Sequence, residues 1–183
     1  MGMIRNNRRF GMSEPPIEID ADFVTTSDGL LRFAEAKGIT LIPLDVKAIA
    51  EKAGIEVIYE PLDEQMSGSL RLRNGKWKLT VNEHHHRRRQ RYTIAHELGH
   101  YFLHRYQEDC FEDQSFFRGL KCTTQEWEAN AFASAILMPE EEFKRLLHAG
   151  VNDVDKLAEQ FDVSPLALRI RAKELGFTGH GLD

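Results

Sequence analysis

The sequence predicts an α+β domain, mostly helical, with a small antiparallel three-stranded sheet and a closing pair of helices. Three observations lead there. Segments with apolar residues at helical spacing recur from residue 27 onward, and each is bounded by a capping residue, a proline or a glycine. One stretch, residues 55–82, switches to a period of two around Asn74-Gly75. The composition, 42% hydrophobic and 29% charged over 183 residues, suits an ordinary globular chain that needs no disulfide staples.

The elements follow in order. Residues 1–26 read as a flexible arm: Arg5, Arg8 and Arg9, then Pro15-Pro16, then the acidic Glu18, Asp20 and Asp22, with no apolar period. Ser27 or Asp28 caps a first helix that ends near Gly38. A second begins after Pro43, presents Val46, Ile49, Ala50 and Ala53 on one face, and stops at Gly54. Ile55 to Tyr59 reads as a strand. Leu70 and Leu72, then Trp77, Leu79 and Val81, alternate with polar residues on either side of Asn74-Gly75 and predict a hairpin over 69–82. An exposed edge of that hairpin could pair with an extended peptide.

Residues 87–104 form a long helical segment. Residues 105–122 read as a loop holding Phe111, Phe116, Phe117, Cys110 and Cys122. A helix is expected over Thr124–Leu137, and Pro139 opens the next, with Glu140, Glu141 and Glu142 in its first turn. Asp153 caps a short helix, and Ser164-Pro165 opens the last, ending at Gly176. These boundaries imply a main domain at 27–148 and a helix-turn-helix-like pair at 149–183 packed on it. That pair either offers Arg169, Arg171 and Lys173 to DNA or is a plain hairpin burying Leu166, Leu168, Ile170 and Leu175.

Charge and cysteine usage exclude several classes. The formal charge is 24 − 29 = −5, which argues against a whole-surface nucleic-acid binder and leaves direct DNA contact poorly supported. Two cysteines without CxxC spacing read as free thiols in a reducing, cytoplasmic setting. No apolar run approaches the roughly 20 residues of a membrane span, and the N-terminal residues have no secretory apolar core, so no membrane partner is expected.

The chemistry lies in His96-Glu97-Leu98-Gly99-His100. Two histidines four apart on a helix project from one face, a spacing that suits two nitrogen ligands of a zinc ion. Glu97, one residue round from His96, is placed to take a proton from water beside the metal. At this composition the pattern arises by chance roughly 0.03 times per chain. Apolar flanks (Ile94, Ala95, Leu98, Phe102) would carry the histidines inward. One zinc per chain needs a third protein ligand. His104 lies another helical turn along, too far to share the metal, and reads as a polar helix-end residue. The helix 124–137 offers Glu126, with Glu128, on another face, as the rival. Asn130, one turn beyond Glu126, could accept a ring N–H from a liganded histidine. Against this, Thr123 and Glu126 also fit a capping box.

Tyr92, Tyr101, Tyr106 and His104 are the nearby candidates for an oxyanion donor. Glu126, Ala129, Asn130 and Ala133 share a face, whose small alanines would let the two helices pack closely. His84-His85-His86 before Arg87-Arg88-Arg89 reads as a solvated turn, because consecutive side chains diverge.

Over about residues 38–176 the chain resembles the ImmA/IrrE metallopeptidases. The resemblance rests on Ser67-Gly68-Ser69-Leu70, on Arg91 to Ala95 leading into the HExxH motif, on Glu128 to Ala133, and on Leu137-Met138-Pro139. It implies a compact gluzincin-like zincin domain, with His96, His100 and a glutamate of the following helix as ligands and Glu97 catalytic. It fits best with Glu126 as that ligand, and Asn130 then stands where related gluzincins carry aspartate. It also implies a protein substrate, a helix-turn-helix repressor whose cleavage derepresses stress-response, mobile-element or prophage genes. The alternative is a non-catalytic DNA-binding regulator, or a toxin–antitoxin-type component, with a structural zinc.

Overall fold

Short polar side chains start most helices in the computed structural model, which describes residues 20–114 and 123–177. Thr26 Oγ1 accepts from Gly29 N and starts α1, Ser27–Ala36. The cap is one residue earlier than expected, because Thr26 holds the extended backbone (φ −143°, ψ 158°) that a cap needs. Asp45 caps α2, Val46–Lys52. His86 accepts from Arg88 N and starts α3, Arg87–His104. Thr123 accepts from Glu126 N and starts α4, Thr124–Leu137. Pro139 precedes α5, Glu140–His148. Asp153 caps α6, Val154–Phe161, and Ser164 caps α7, Pro165–Glu174. Each such cap is worth about 0.5–2 kcal/mol.

The sheet differs from expectation. It has four strands, β1 Glu56–Glu60, β2 Met66–Arg73, β3 Lys76–Asn82 and β4 Cys110–Gln114, in the order β1-β3-β2-β4. The β2–β3 hairpin turns at Asn74-Gly75, whose φ values of 51° and 74° match the left-handed turn that this dipeptide favours. However, β1 runs parallel to β3, and β4 pairs antiparallel with β2. The sheet is therefore mixed and four-stranded, not antiparallel and three-stranded. Alternation reveals a strand but neither its direction nor its neighbour. In addition, β4 is five residues long with one apolar side chain, Phe111, among polar neighbours, so it carries almost no periodic signal. With β2 and β3 interior, the hairpin has no free edge. The edges are β1 and β4.

Helix α3 lies across one sheet face. Leu70, Leu79 and Val81 from the sheet and Ile94, Ala95 and Leu98 from α3 are all buried in one core. Burying a leucine such as Leu98 contributes about 1.5–3 kcal/mol. On its other side α3 meets α4 at very short range. A Cβ at Gly99 would lie 2.9 Å from Ala129 Cα and 3.0 Å from its carbonyl oxygen. Glycine at 99 and alanine at 129 therefore set the spacing of the two helices.

The final pair, α6 and α7, shares that core through Leu157, Ala158, Phe161, Leu168 and Ala172, and Phe143 stacks on Phe161 at 5.8 Å. Leu166 and Ile170, which the hairpin reading buried, are exposed, because they fall on the opposite side of α7 from Leu168 and Ala172. A buried ionic clamp holds the α6–α7 turn to α3. Asp162, left-handed at φ 53°, lies 2.7 Å from Arg87, 3.4 Å from Arg88 and 3.0 Å from Arg91. Burial pulls the Arg91 guanidinium below its usual range, and Asp162 opposes that shift. At the other end of α3, Arg105 pairs with Asp22 at 3.2 Å, just ahead of α1. Most of the expected arm, residues 1–19, lies outside the described residues, as do Phe116, Phe117 and Cys122. Cys110 is a free, exposed thiol. No helix among the described residues is long and apolar enough to cross a membrane.

Candidate metal centre

The site is built where α3 and α4 touch. The four-residue spacing of His96 and His100 sets their rings edge-to-face on one side of α3, with centroids 4.8 Å apart, and Gly99 lets α4 approach that side. Glu126, in the first turn of α4, then reaches both rings. His96 Nε2 is 3.3 Å from Glu126 Oε2, His100 Nε2 is 3.2 Å from Glu126 Oε1, and the two Nε2 atoms are 3.1 Å apart. One ligand atom from each residue falls within 4.8 Å of the others. Glu126 also serves its helix end, since its N–H is bonded to Thr123. The capping and site roles coexist, because one uses the backbone and the other the carboxylate.

Burial is graded across the cluster. His96 and His100 are buried, and Glu97, beside them on α3, is 0% exposed. The Glu126 side chain is 37% exposed, so the cluster opens to solvent on the α4 side. The His100 and His96 rings, each with Nε2 against a Glu126 oxygen, hold that carboxyl well below the usual carboxylate range, against the opposing effect of burial. Burial pulls the His100 imidazole below its ordinary value, against the raising effect of the Glu126 carboxylate beside it. An ionised carboxylate and a neutral imidazole are the forms in which these side chains bind metal.

Asn130 stands behind His96. Its Oδ1 is 3.2 Å from His96 Nδ1 and accepts the Tyr92 hydroxyl proton at 2.9 Å. An amide oxygen only accepts, so His96 Nδ1 carries the proton and Nε2 presents its lone pair to the cluster. The donor set is thus two imidazole nitrogens and one carboxylate with lone pairs converging, which fits a divalent zinc-like cation.

The remaining expected residues divide plainly. Glu128 does not join the cluster. Its Oε2 lies 2.9 Å from His104 Nε2. His104 ends α3, outside the cluster. It is buried, with its Nδ1 3.1 Å from His100 Nδ1. The signal was present, because positions 96, 100 and 104 share one helical face at spacing four. Tyr92 bonds Asn130, on the far side of His96 from the cluster. Tyr101 donates to the Ala53 carbonyl, and Tyr106 is 81% exposed beside Arg105. The hydroxyls of all three tyrosines thus have partners away from the cluster. One contact had no sequence signal. Phe111 of β4 stacks on the His100 ring at 4.6 Å and 17°. His85 bonds the Glu64 carbonyl between β1 and β2, and His86 accepts from Arg88 N in the first turn of α3, so both are engaged away from the cluster.

Comparison with known proteins places the chain. A solved structure described as a Mycobacterium tuberculosis transcriptional regulator is similar in fold, with TM-score 0.58 at 21% identity over 87% of this chain. The chain spans about half of that protein, 52% of its length. No curated protein matches the chain. A family model described as the IrrE N-terminal-like domain matches residues 50–173, which takes in the sheet, α3, α4 and the final helical pair. With more than half its length matched, and with the HExxH helix and Glu126 inside the match, the chain belongs to the ImmA/IrrE metallopeptidase family.

Proposed function

We propose that the chain is a zinc-dependent endopeptidase of the cytoplasm that cleaves a regulatory protein, a helix-turn-helix repressor, and so derepresses stress-response, mobile-element or prophage genes. The observation that carries this reading is the convergence of His96, His100 and Glu126 beside the fully buried Glu97. His96, His100 and Glu126 would hold the ion, one per chain. Zinc bound by them supplies Lewis-acid polarisation of a scissile carbonyl and acidifies a water.

The chain's own residues do the rest. Asn130 fixes the proton on His96 Nδ1 and keeps that ring oriented. Glu97, one residue from His96 on the same helix, takes a proton from the attacking water and returns it to the leaving amine. The solvent-facing side of Glu126 is the side from which a peptide reaches the cluster. The final helices support a packing role over DNA contact, since Arg171 is committed to the Met138 carbonyl at 3.2 Å and to Glu174.

The test is cleavage of the repressor encoded beside this gene by wild type and by Glu97→Gln, with zinc content measured for both. Cleavage by the wild type alone, at equal zinc content, supports the proposal. Equal cleavage by the variant overturns it. Specific, salt-sensitive DNA binding lost in Arg169→Ala with Arg171→Ala would favour the non-catalytic regulator instead.

A further inference from the structure

We propose that Glu128 and His104 form a buried relay that positions His100, by fixing which of its ring nitrogens carries the proton. The inference rests on the reading of His96, His100 and Glu126 as the zinc ligands. It assigns work to two residues outside that set.

The argument runs inward from the carboxylate. Glu128 Oε2 lies 2.9 Å from His104 Nε2. A carboxylate only accepts, so His104 Nε2 carries the ring proton. The other His104 nitrogen, Nδ1, faces His100 Nδ1 at 3.1 Å and accepts from it when His100 binds zinc through Nε2. His100 then donates from Nδ1. That leaves its Nε2 bare, at 3.2 Å from Glu126 and 3.1 Å from His96 Nε2.

The two histidines of the motif are thus oriented by different devices. His96 leans on the amide of Asn130 one turn along α4 from Glu126. His100 leans on a second histidine that reaches a second glutamate of the same helix. Glu126 and Glu128 sit two apart in one turn of α4 and meet different rings of α3. Phe111, stacked on His100 at 4.6 Å, holds the plane of the ring whose proton the relay sets. His104 is 2% exposed, and a polar ring at that depth needs both of its nitrogens satisfied.

The experiment uses the full chain and reads two quantities. Zinc affinity is measured by competition with a chromogenic chelator. The ring-proton positions of the histidines are read by long-range proton–nitrogen NMR on zinc-free protein. Glu128 is the first target, because its side chain is 44% exposed and its loss leaves the core filled. Glu128→Ala is expected to weaken zinc binding about 10- to 100-fold and to turn His100 from the Nδ1–H form into a mixture. Glu128→Gln keeps a carbonyl acceptor for His104 and is expected to restore most of both signals. A contact that merely stabilises the fold would lower the melting temperature and leave both readouts unchanged, and that result overturns the relay. His104→Phe, which keeps the buried volume, should repeat the loss.

Glu126→Gln separates the two levels of the argument. Zinc lost in Glu126→Gln but retained in Glu128→Ala defeats the relay alone. Zinc retained in Glu126→Gln defeats the metal-site reading beneath it.

Discussion

Replacing Gly99 by alanine tests how the α3–α4 contact makes the site. The added Cβ would lie 2.9 Å from Ala129 Cα, 3.0 Å from its oxygen and 3.3 Å from its Cβ. Comfortable carbon–carbon separations are about 3.5–4.0 Å, so the helices must part by roughly 0.6–1 Å. Two of the three obstructing atoms are backbone, which cannot rotate away. Glu126, three residues before Ala129, moves with α4, and His96 and His100 stay with α3. A functional constellation holds its geometry to within about 0.5 Å, so the displacement exceeds what the cluster tolerates. Zinc affinity is expected to fall at least about 10-fold. Overpacking costs about 1–3 kcal/mol, and replacing a helical glycine by alanine returns about 1 kcal/mol. Stability should therefore drop by at most about 2 kcal/mol, or roughly 4–8 °C in Tm. Chelator competition and thermal melts of wild type and Gly99→Ala measure the two effects together. A variant as stable as wild type that binds zinc equally well would refute the claim that this contact sets the site.

Three further outcomes are expected. Glu97→Gln should lose about 10²- to 10⁴-fold in peptide cleavage while keeping its zinc, measured by turnover and metal content; loss of zinc in parallel would make Glu97 structural. Asp162→Asn tolerates the left-handed backbone but takes the carboxylate from buried Arg91, which keeps only the Asp162 and Phe161 carbonyls. It should cost about 3 kcal/mol, near the low end for a broken buried pair because Arg87 stays solvated, or about 6–12 °C in Tm. An unchanged Tm would remove the clamp from the account. In metal-free protein, burial keeps the folded His100 from taking a proton that the unfolded chain accepts. Stability should then fall as pH drops below the ordinary value of 6.5, with a further loss below 4.5 as the Glu126 contribution goes. A Tm that rises on acidification from pH 8 to 5 would contradict the first direction, and one that rises on further acidification below pH 4.5 the second.

The helices were legible because their signals are local. Asp45, Asp153 and Ser164 stand beside the residues they cap, and Pro165 and Glu140 sit where a helix start favours them. The sheet was half legible. Asn74-Gly75 encodes its own turn, but the parallel β1–β3 pairing and the addition of β4 depend on contacts between distant segments. The two histidines were legible for the same reason as the helices, since a spacing of four fixes their geometry. The choice between Glu126 and Glu128 was not, because their directions differ by a rotation that only the packing of α4 on Gly99 resolves. His104 was placed correctly at the helix end and off the metal, but its burial was not foreseen. It was judged by whether it could reach the metal, whereas its ring nitrogens meet His100 and Glu128.

The central claim is that His96, His100 and Glu126 hold one zinc ion with a position left open for chemistry. Anomalous diffraction at the zinc absorption edge, on crystals of the zinc-loaded protein, tests it most directly. The account predicts a single peak about 2.0–2.2 Å from the two Nε2 atoms and a Glu126 oxygen, with no fourth protein ligand. A peak elsewhere, or a fourth side chain closing the coordination sphere, would contradict it.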